Sequence, residues 1–165
     1  MAETSSRFAL PFLEAGQAQK ELTHNEAVLL IDAALSCAVV DMDIDTPPVS
    51  PTAGACWLIG DAPEDAWAGR AGDIAVWSES GWRFLPARPG MLLWVEAAAL
   101  YAWRGASAWS LGHLPVEHLV IGGVAMLADQ QPAISDPSGG GVNDAQARTA
   151  IAAILATLRT HNLIG

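Results

Sequence analysis

The stretch Asp73-Ile74-Ala75-Val76-Trp77, Ser78-Glu79-Ser80-Gly81, Trp82-Arg83-Phe84-Leu85 sets an apolar run, a polar turn and an aromatic run in succession. β-Branched and aromatic runs joined by so short a polar link predict a β-hairpin. The plan recurs downstream in Leu100-Tyr101-Ala102-Trp103, then Arg104 to Ala108, then Trp109-Ser110-Leu111. Between the two, Met91-Leu92-Leu93-Trp94-Val95-Glu96 is a further strand, introduced by Pro89-Gly90. Upstream, Cys56-Trp57-Leu58-Ile59 reads as a short buried strand ending at Gly60-Asp61, and Asp61 to Arg70 as a loop by its Gly, Pro and Asp content. The middle of the chain is therefore expected to be a small antiparallel sheet or barrel with tryptophan-lined faces.

Working outward, Glu14 to Cys37 holds Ala, Leu, Glu, Gln and Lys without a proline, which predicts a helix from about Gly16 to Ser36. Its first half is polar on most sides and its second half, Ala27 to Leu35, is almost wholly apolar; one end should be exposed or in an interface, the other buried. From Val40 to Asp45 apolar and acidic residues alternate, the period of a half-exposed strand. Pro47-Pro48-Val49-Ser50-Pro51 then forms a stiff connection. Leu119 to Ala128, broken by Gly122-Gly123, is too short to span a membrane and is expected to be a buried strand or strand pair. After the glycine hinge Ser138-Gly139-Gly140-Gly141, Asn143 or Asp144 caps a helix running to about His161. Ala147, Ile151, Ile154 and Leu158 step by four, three and four along it, an a/d seam suited to self-association. The expected fold class is α+β, mainly β: a Trp-rich β domain flanked by an N-terminal helix and a C-terminal oligomerising helix. The expected segments are 1–46 for attachment, 47–131 for the β domain and 132–165 for the hinged helix.

Composition narrows function. With 8 Lys+Arg against 18 Asp+Glu the net charge is −10, so a sequence-blind nucleic-acid binder, which needs a basic stripe, is not expected. Docking on an anionic membrane is not expected either. The chain is 52% hydrophobic and only 16% charged. Apolar surface beyond what one small core can hold tends to end at subunit contacts, so a homo-oligomer is expected, most simply a trimer. Met1 to Arg7 lacks the apolar run of a secretory signal, and the two cysteines, Cys37 and Cys56, have no metal-ligand or redox spacing. They read as small buried hydrophobes in a chain made in a reducing cytoplasm.

No stretch supplies catalytic machinery. Asp41, Asp43 and Asp45 open like a calcium loop, but Thr46 and Thr52 stand where the loop needs Gly and a carboxylate. His113, Glu117 and His118 miss the zinc-peptidase spacing by one residue, and Pro115 disfavours the helix it requires. Lys20, Glu21, His24 and Glu26 can touch on one helix, yet no nucleophile accompanies them. Neither enzyme chemistry, a metal site nor a cofactor is expected. Seven tryptophans, at 57, 67, 77, 82, 94, 103 and 109, are the strongest compositional signal. Most should be core or interface anchors. Trp67, in a loop, and Trp103 are the candidates for a sugar-stacking platform.

Leu10-Pro11-Phe12-Leu13-Glu14-Ala15-Gly16-Gln17-Ala18-Gln19-Lys20-Glu21, running into Thr23-His24-Asn25-Glu26-Ala27, is a distinctive motif. Gly81-Trp82-Arg83-Phe84, Asp136-Pro137-Ser138-Gly139-Gly140, Asp144 to Arg148 and Leu158 to Ile164 accompany it. Together they resemble an uncharacterised family of structural proteins from alphaproteobacterial prophages and gene transfer agents, among them tail-fibre and head-spike components. The resemblance covers nearly the whole chain. It implies a part on the particle surface that homo-oligomerises, attaches to a capsid or tail protein, and contacts host capsular polysaccharide. It implies no reaction. Gln17, Lys20, His24 and Glu26 are the expected attachment residues, and a base or adaptor role is expected over direct receptor binding. A carbohydrate-binding module is the alternative, and a glycan-cleaving enzyme, which needs two facing carboxylates, comes last.

Overall fold

The computed structural model describes residues 3–14, 16, 20–35, 37–127, 130–138, 144–161 and 163–164. The chain divides into two compact units, Met1–Leu114 and Pro115–Gly165. Neither boundary drawn from composition falls there, because residues 1–46 are built into the first unit rather than standing apart from it.

In the first unit, helix α1 (Lys20–Leu35) is followed by strands β1 (Ala38–Val39), β2 (Cys56–Leu58), β3 (Ile74–Ser78), β4 (Gly81–Leu85), β5 (Leu92–Val95), β6 (Leu100–Arg104) and β7 (Trp109–Leu111). A 3-10 turn, Asp65–Trp67, lies between β2 and β3. Both expected hairpins form: β3 pairs antiparallel with β4, Trp77 opposite Trp82, and β6 with β7. Glu79-Ser80 is a two-residue turn closed by Gly81 at φ 111°, a conformation glycine adopts without strain. The strands form two open sheets, β2-β3-β4 and β1-β5-β6-β7, so the barrel alternative does not hold. All pairings in them are antiparallel except β1 with β5.

Period-two alternation explains the layering. Cys56 and Leu58 of β2 and Ile74 and Val76 of β3 share one core with Leu93 and Val95 of β5, Val39 of β1, Ala102 of β6 and Ala33 of α1. Trp109 donates its indole N–H to the Gly72 carbonyl at 3.1 Å, tying β7 to the loop before β3. On the opposite face of β2-β3-β4, Trp57, Ala75 and Ile59 join Trp67, with Trp77, Trp82 and Phe84 packed against them. Trp82 is the hub, meeting Trp77, Trp67 and Trp57 edge-on at 4.9, 5.1 and 5.7 Å between ring centres.

The strand expected from Val40 to Asp45 does not form. Asp41 accepts the Met42 backbone N–H at 2.8 Å and Asp43 sits at φ 58°, so the segment turns as it runs beside β2. It still donates from the Val40 N–H to the Cys56 carbonyl at 2.8 Å and accepts from the Leu58 N–H at the Asp41 carbonyl at 3.1 Å, and Ile44 bridges to Ile59.

In the second unit, β8 (Leu119–Ile121) and β9 (Val124–Leu127) form a hairpin, and α2 (Ala145–Thr160) follows. Gly122 and Gly123, at φ 59° and 83°, make the two-residue turn whose backbone twist matches the strands. The strand pair is as expected, but it is not buried: Leu119, Val120, Ile121 and Val124 are 45–61% exposed. Asp144 is the helix cap, accepting the Ala147 N–H at 2.9 Å. Arg159 reaches Asp136 at 3.1 Å and the Ile134 carbonyl, and Gln131 bridges to Ile164. The chain is thus α+β, with helix and strand in about equal share and a helix toward each end of the sequence.

Candidate functional site

Two side chains of α1, Asn25 and Asp32, fix the N-terminal region. Asn25 both accepts from the Leu13 N–H, at 2.9 Å, and donates to its carbonyl, at 3.1 Å. Buried Asp32 accepts the backbone N–H groups of Arg7 and Phe8 at 2.9 and 2.8 Å. The Arg7 guanidinium continues inward to the carbonyls of Gly54 at 2.8 Å, Ala33 at 3.4 Å and Ala38 at 2.6 Å. Farther along, Arg83 of β4 grips Glu26 with two nitrogens: Nε donates to Oε2, and Nη2 to Oε1 at 2.6 Å. Those hydrogen bonds, aided by the guanidinium charge, hold the Glu26 carboxyl below its ordinary range against the opposing pull of burial.

The attachment residues expected from the sequence therefore separate. Lys20 and His24 are exposed at the start of α1. Glu26 is paired with Arg83 of the same unit while its side chain stays partly exposed, and Gln17 lies outside the described residues. The apolar second half of α1 is not simply buried either, since Ile31 and Leu35 face solvent. Beside α1, a cavity of about 490 Å³ has Phe12 and Leu29 as apolar walls and Glu3, Ser6, Glu79 and Ser80 as polar ones. Its chemistry favours hydroxyl-bearing or cationic groups over anions.

The platform tryptophans also separate. Trp67 is fully buried, contrary to expectation. The 3-10 turn carries its indole against Trp82, where the apolar area gained outweighs the polar composition of the surrounding loop. Trp103 is half-buried on the outer face of β6, opposite exposed Leu92. On that face Trp94 and Tyr101 are direct cross-strand partners, their rings 5.0 Å apart at 72°, and Tyr101 is 47% exposed. Sequence reasoning chose Trp103 but missed Trp94 and Tyr101, which strand alternation places beside it.

In the second unit, Ala147, Ile151 and Ile154 of the expected seam are exposed and Leu158 is half-buried. Ala153, Ile154, Thr157 and Leu158 line a shallow, almost wholly apolar groove of about 270 Å³. Thr157 returns its hydroxyl to the Ala153 carbonyl at 3.0 Å, so its methyl is left for the groove. Leu155 is the buried residue of this helix.

Among the described residues no three His, Cys, Asp or Glu side chains gather as a metal site would require. Asp41 and Asp45 serve backbone N–H groups, of Met42 and Ala62. Both cysteines are free thiols, and burial pushes Cys37 upward and Cys56 up to about 11. None of the described helices is long and apolar enough to cross a membrane.

No curated protein and no solved structure matches the chain. The profile of one family matches residues 24–110, just over half of the chain and the stretch that runs from α1 into β7. The chain belongs to that family, whose description reads "protein of unknown function (DUF2793)".

Proposed function

We propose that this protein is a structural component of a phage or gene-transfer-agent particle, a head-spike or tail-fibre base or adaptor that homo-oligomerises. The observation that carries the reading is the bare seam of α2, with Ile154 59% exposed beside an apolar groove. A heptad-spaced stripe of this kind is matched by another copy of itself, which is always present at equal concentration. The first unit supplies a rigid platform, with Lys20 and His24 free at the start of α1 to meet a capsid or tail protein. The experiment is light scattering on the full chain, wild type against Ile151→Lys/Ile154→Lys. A wild-type mass that is a multiple of the chain, reduced by the substitutions, supports the reading; a monomer at all concentrations overturns it.

The second reading, contact with host capsular polysaccharide, is favoured by the outer face of β5 and β6. Trp94, Tyr101 and Trp103 together offer apolar ring faces to a sugar. Titration with that polysaccharide, followed by tryptophan fluorescence, tests it: a shift in wild type that Tyr101→Ala/Trp103→Ala loses is expected, and no shift in wild type defeats it.

A further inference from the structure

The cavity beside α1 is lined by two carboxylates that no cation among the described residues answers. Its volume, about 490 Å³, is that of a pocket for a small organic molecule. Phe12 and Leu29, both half-buried, are its apolar walls, and Glu3 and Glu79 are its charged ones. Among the described residues neither glutamate side chain has an ion-pair or hydrogen-bond partner, and no Lys, Arg or His lines the cavity. The guanidinium bonded to this wall, that of Arg83, donates to Ser80 Oγ but is already matched by Glu26. Other polar walls are engaged within the protein: Asn25 holds both backbone groups of Leu13, and Ser78 Oγ donates to the Gly81 carbonyl at 2.8 Å. The groups left for a ligand are two carboxylates, which only accept, and the hydroxyls of Thr4 and Ser6. Both sides are fixed in advance. Glu79 sits in the β3–β4 turn that Ser78 and Arg83 brace. The Glu3 carbonyl accepts the Phe12 N–H at 2.9 Å, in a segment that Asn25 and Asp32 fasten to α1. A cleft lined by one sign of charge concentrates ions of the other, and preorganised walls spare the cost of ordering them.

We propose that this cavity is a binding site for aliphatic amines, a linear diamine above all, with ammonium groups against Glu3 and Glu79 and methylenes against Phe12 and Leu29. An ammonium supplies the donors and the charge that these walls lack, and its methylene stem covers the apolar side chains. A neutral alcohol of the same length supplies one donor and no charge, and a carboxylate is repelled. The site lies wholly within the first unit and is independent of self-association through α2.

The test is calorimetric titration of the full chain with the diamine cadaverine, and with pentylamine, pentanol and pentanoate. Salt at about 0.15 M screens attraction to the diffuse charge of the chain. Three forms are compared: wild type, Glu3→Gln/Glu79→Gln, and Glu96→Gln/Glu117→Gln. The last removes the same charge at two exposed carboxylates elsewhere. Glutamine keeps the shape of glutamate, and thermal melting checks that each variant folds as wild type. Wild type should bind one cadaverine per chain with a Kd of about 1 mM or tighter, and pentylamine more weakly. Pentanol and pentanoate should bind at least about tenfold more weakly than cadaverine, because the charge-assisted hydrogen bonds are lost. Glu3→Gln/Glu79→Gln should weaken cadaverine at least about tenfold, and Glu96→Gln/Glu117→Gln should bind it as wild type does. No cadaverine binding by wild type up to about 10 mM overturns the inference. So does pentanol or pentanoate binding as tightly as cadaverine, undiminished binding by Glu3→Gln/Glu79→Gln, or an equal loss in both variants.

Discussion

Glu26 and Arg83, 57 positions apart, meet in a two-pronged ion pair that fastens the middle of α1 to the edge strand β4. Arg83 also donates to the Trp82 carbonyl and to Ser80 Oγ, both at 3.0 Å, so the same guanidinium braces the β3–β4 turn. The pair is bidentate, but the Glu26 side chain remains 44% exposed. Solvent screening therefore limits it to about 0.5–1 kcal/mol.

Acid should weaken this clamp. The Glu26 carboxyl titrates below its ordinary value of 4.5 when folded, so its contribution is complete above that pH and fades as the pH falls through the lowered value. Comparing wild type with Glu26→Gln by thermal melting at neutral pH and near pH 3 should show a deficit of a few degrees at neutral pH that shrinks in acid. A deficit that grows in acid would show the opposite linkage.

Asp32 is a heavier commitment. Its carboxylate is buried and holds two backbone N–H groups of the N-terminal segment. Asp32→Ala leaves both donors without an acceptor, and urea unfolding should report a loss of about 2–4 kcal/mol. Limited proteolysis should then cut between Ser5 and Leu10 before it cuts elsewhere in the first unit.

Trp67 and Trp103 should respond oppositely to truncation. Trp67→Ala opens a cavity beside the Trp82 hub and should cost about 3–5 kcal/mol by denaturant titration, without any special effect on a sugar ligand. Trp103→Ala removes a half-exposed ring and should cost less in the same titration. Equal losses at the two positions would contradict the burial difference between them.

The thiols should be slow to react. With Cys56 pushed up to about 11 by burial, only about a thousandth is thiolate at pH 8, and Cys37 is shifted the same way. A disulfide reagent added at pH 8 should modify both cysteines promptly in urea and sluggishly in the native protein. Rapid native labelling of Cys56 would argue that β2 opens.

The β3–β4 and β6–β7 hairpins were legible in the sequence because each is a local pattern: apolar run, polar turn, aromatic run. The cap at Asp144 was legible for the same reason. Trp67 was misplaced because loop composition reports average exposure, whereas a single large ring can be turned inward by one 3-10 turn. The ribbon of β8 and β9 was recognisable as a strand pair, but burial depends on what covers a strand, and a lone chain holds no signal for that. The Arg7–Asp32 latch went unread because its partners lie 25 residues apart. One clue existed: Asp32 is the sole charge in the run Ala27 to Leu35, and a carboxylate so surrounded must find donors.

The seat of Arg7 has a consequence for how the molecule is made. Its carbonyl partners among the described residues belong to Ala33, Ala38 and Gly54, so Arg7, made before all of them, cannot settle until some fifty more residues have followed. Its contact with Ala33 also places a cation at the closing turn of α1, where unpaired carbonyls concentrate negative charge. Clipping the leading residues through Arg7 would therefore loosen the first helix and the approach to β2 together, well away from the cut.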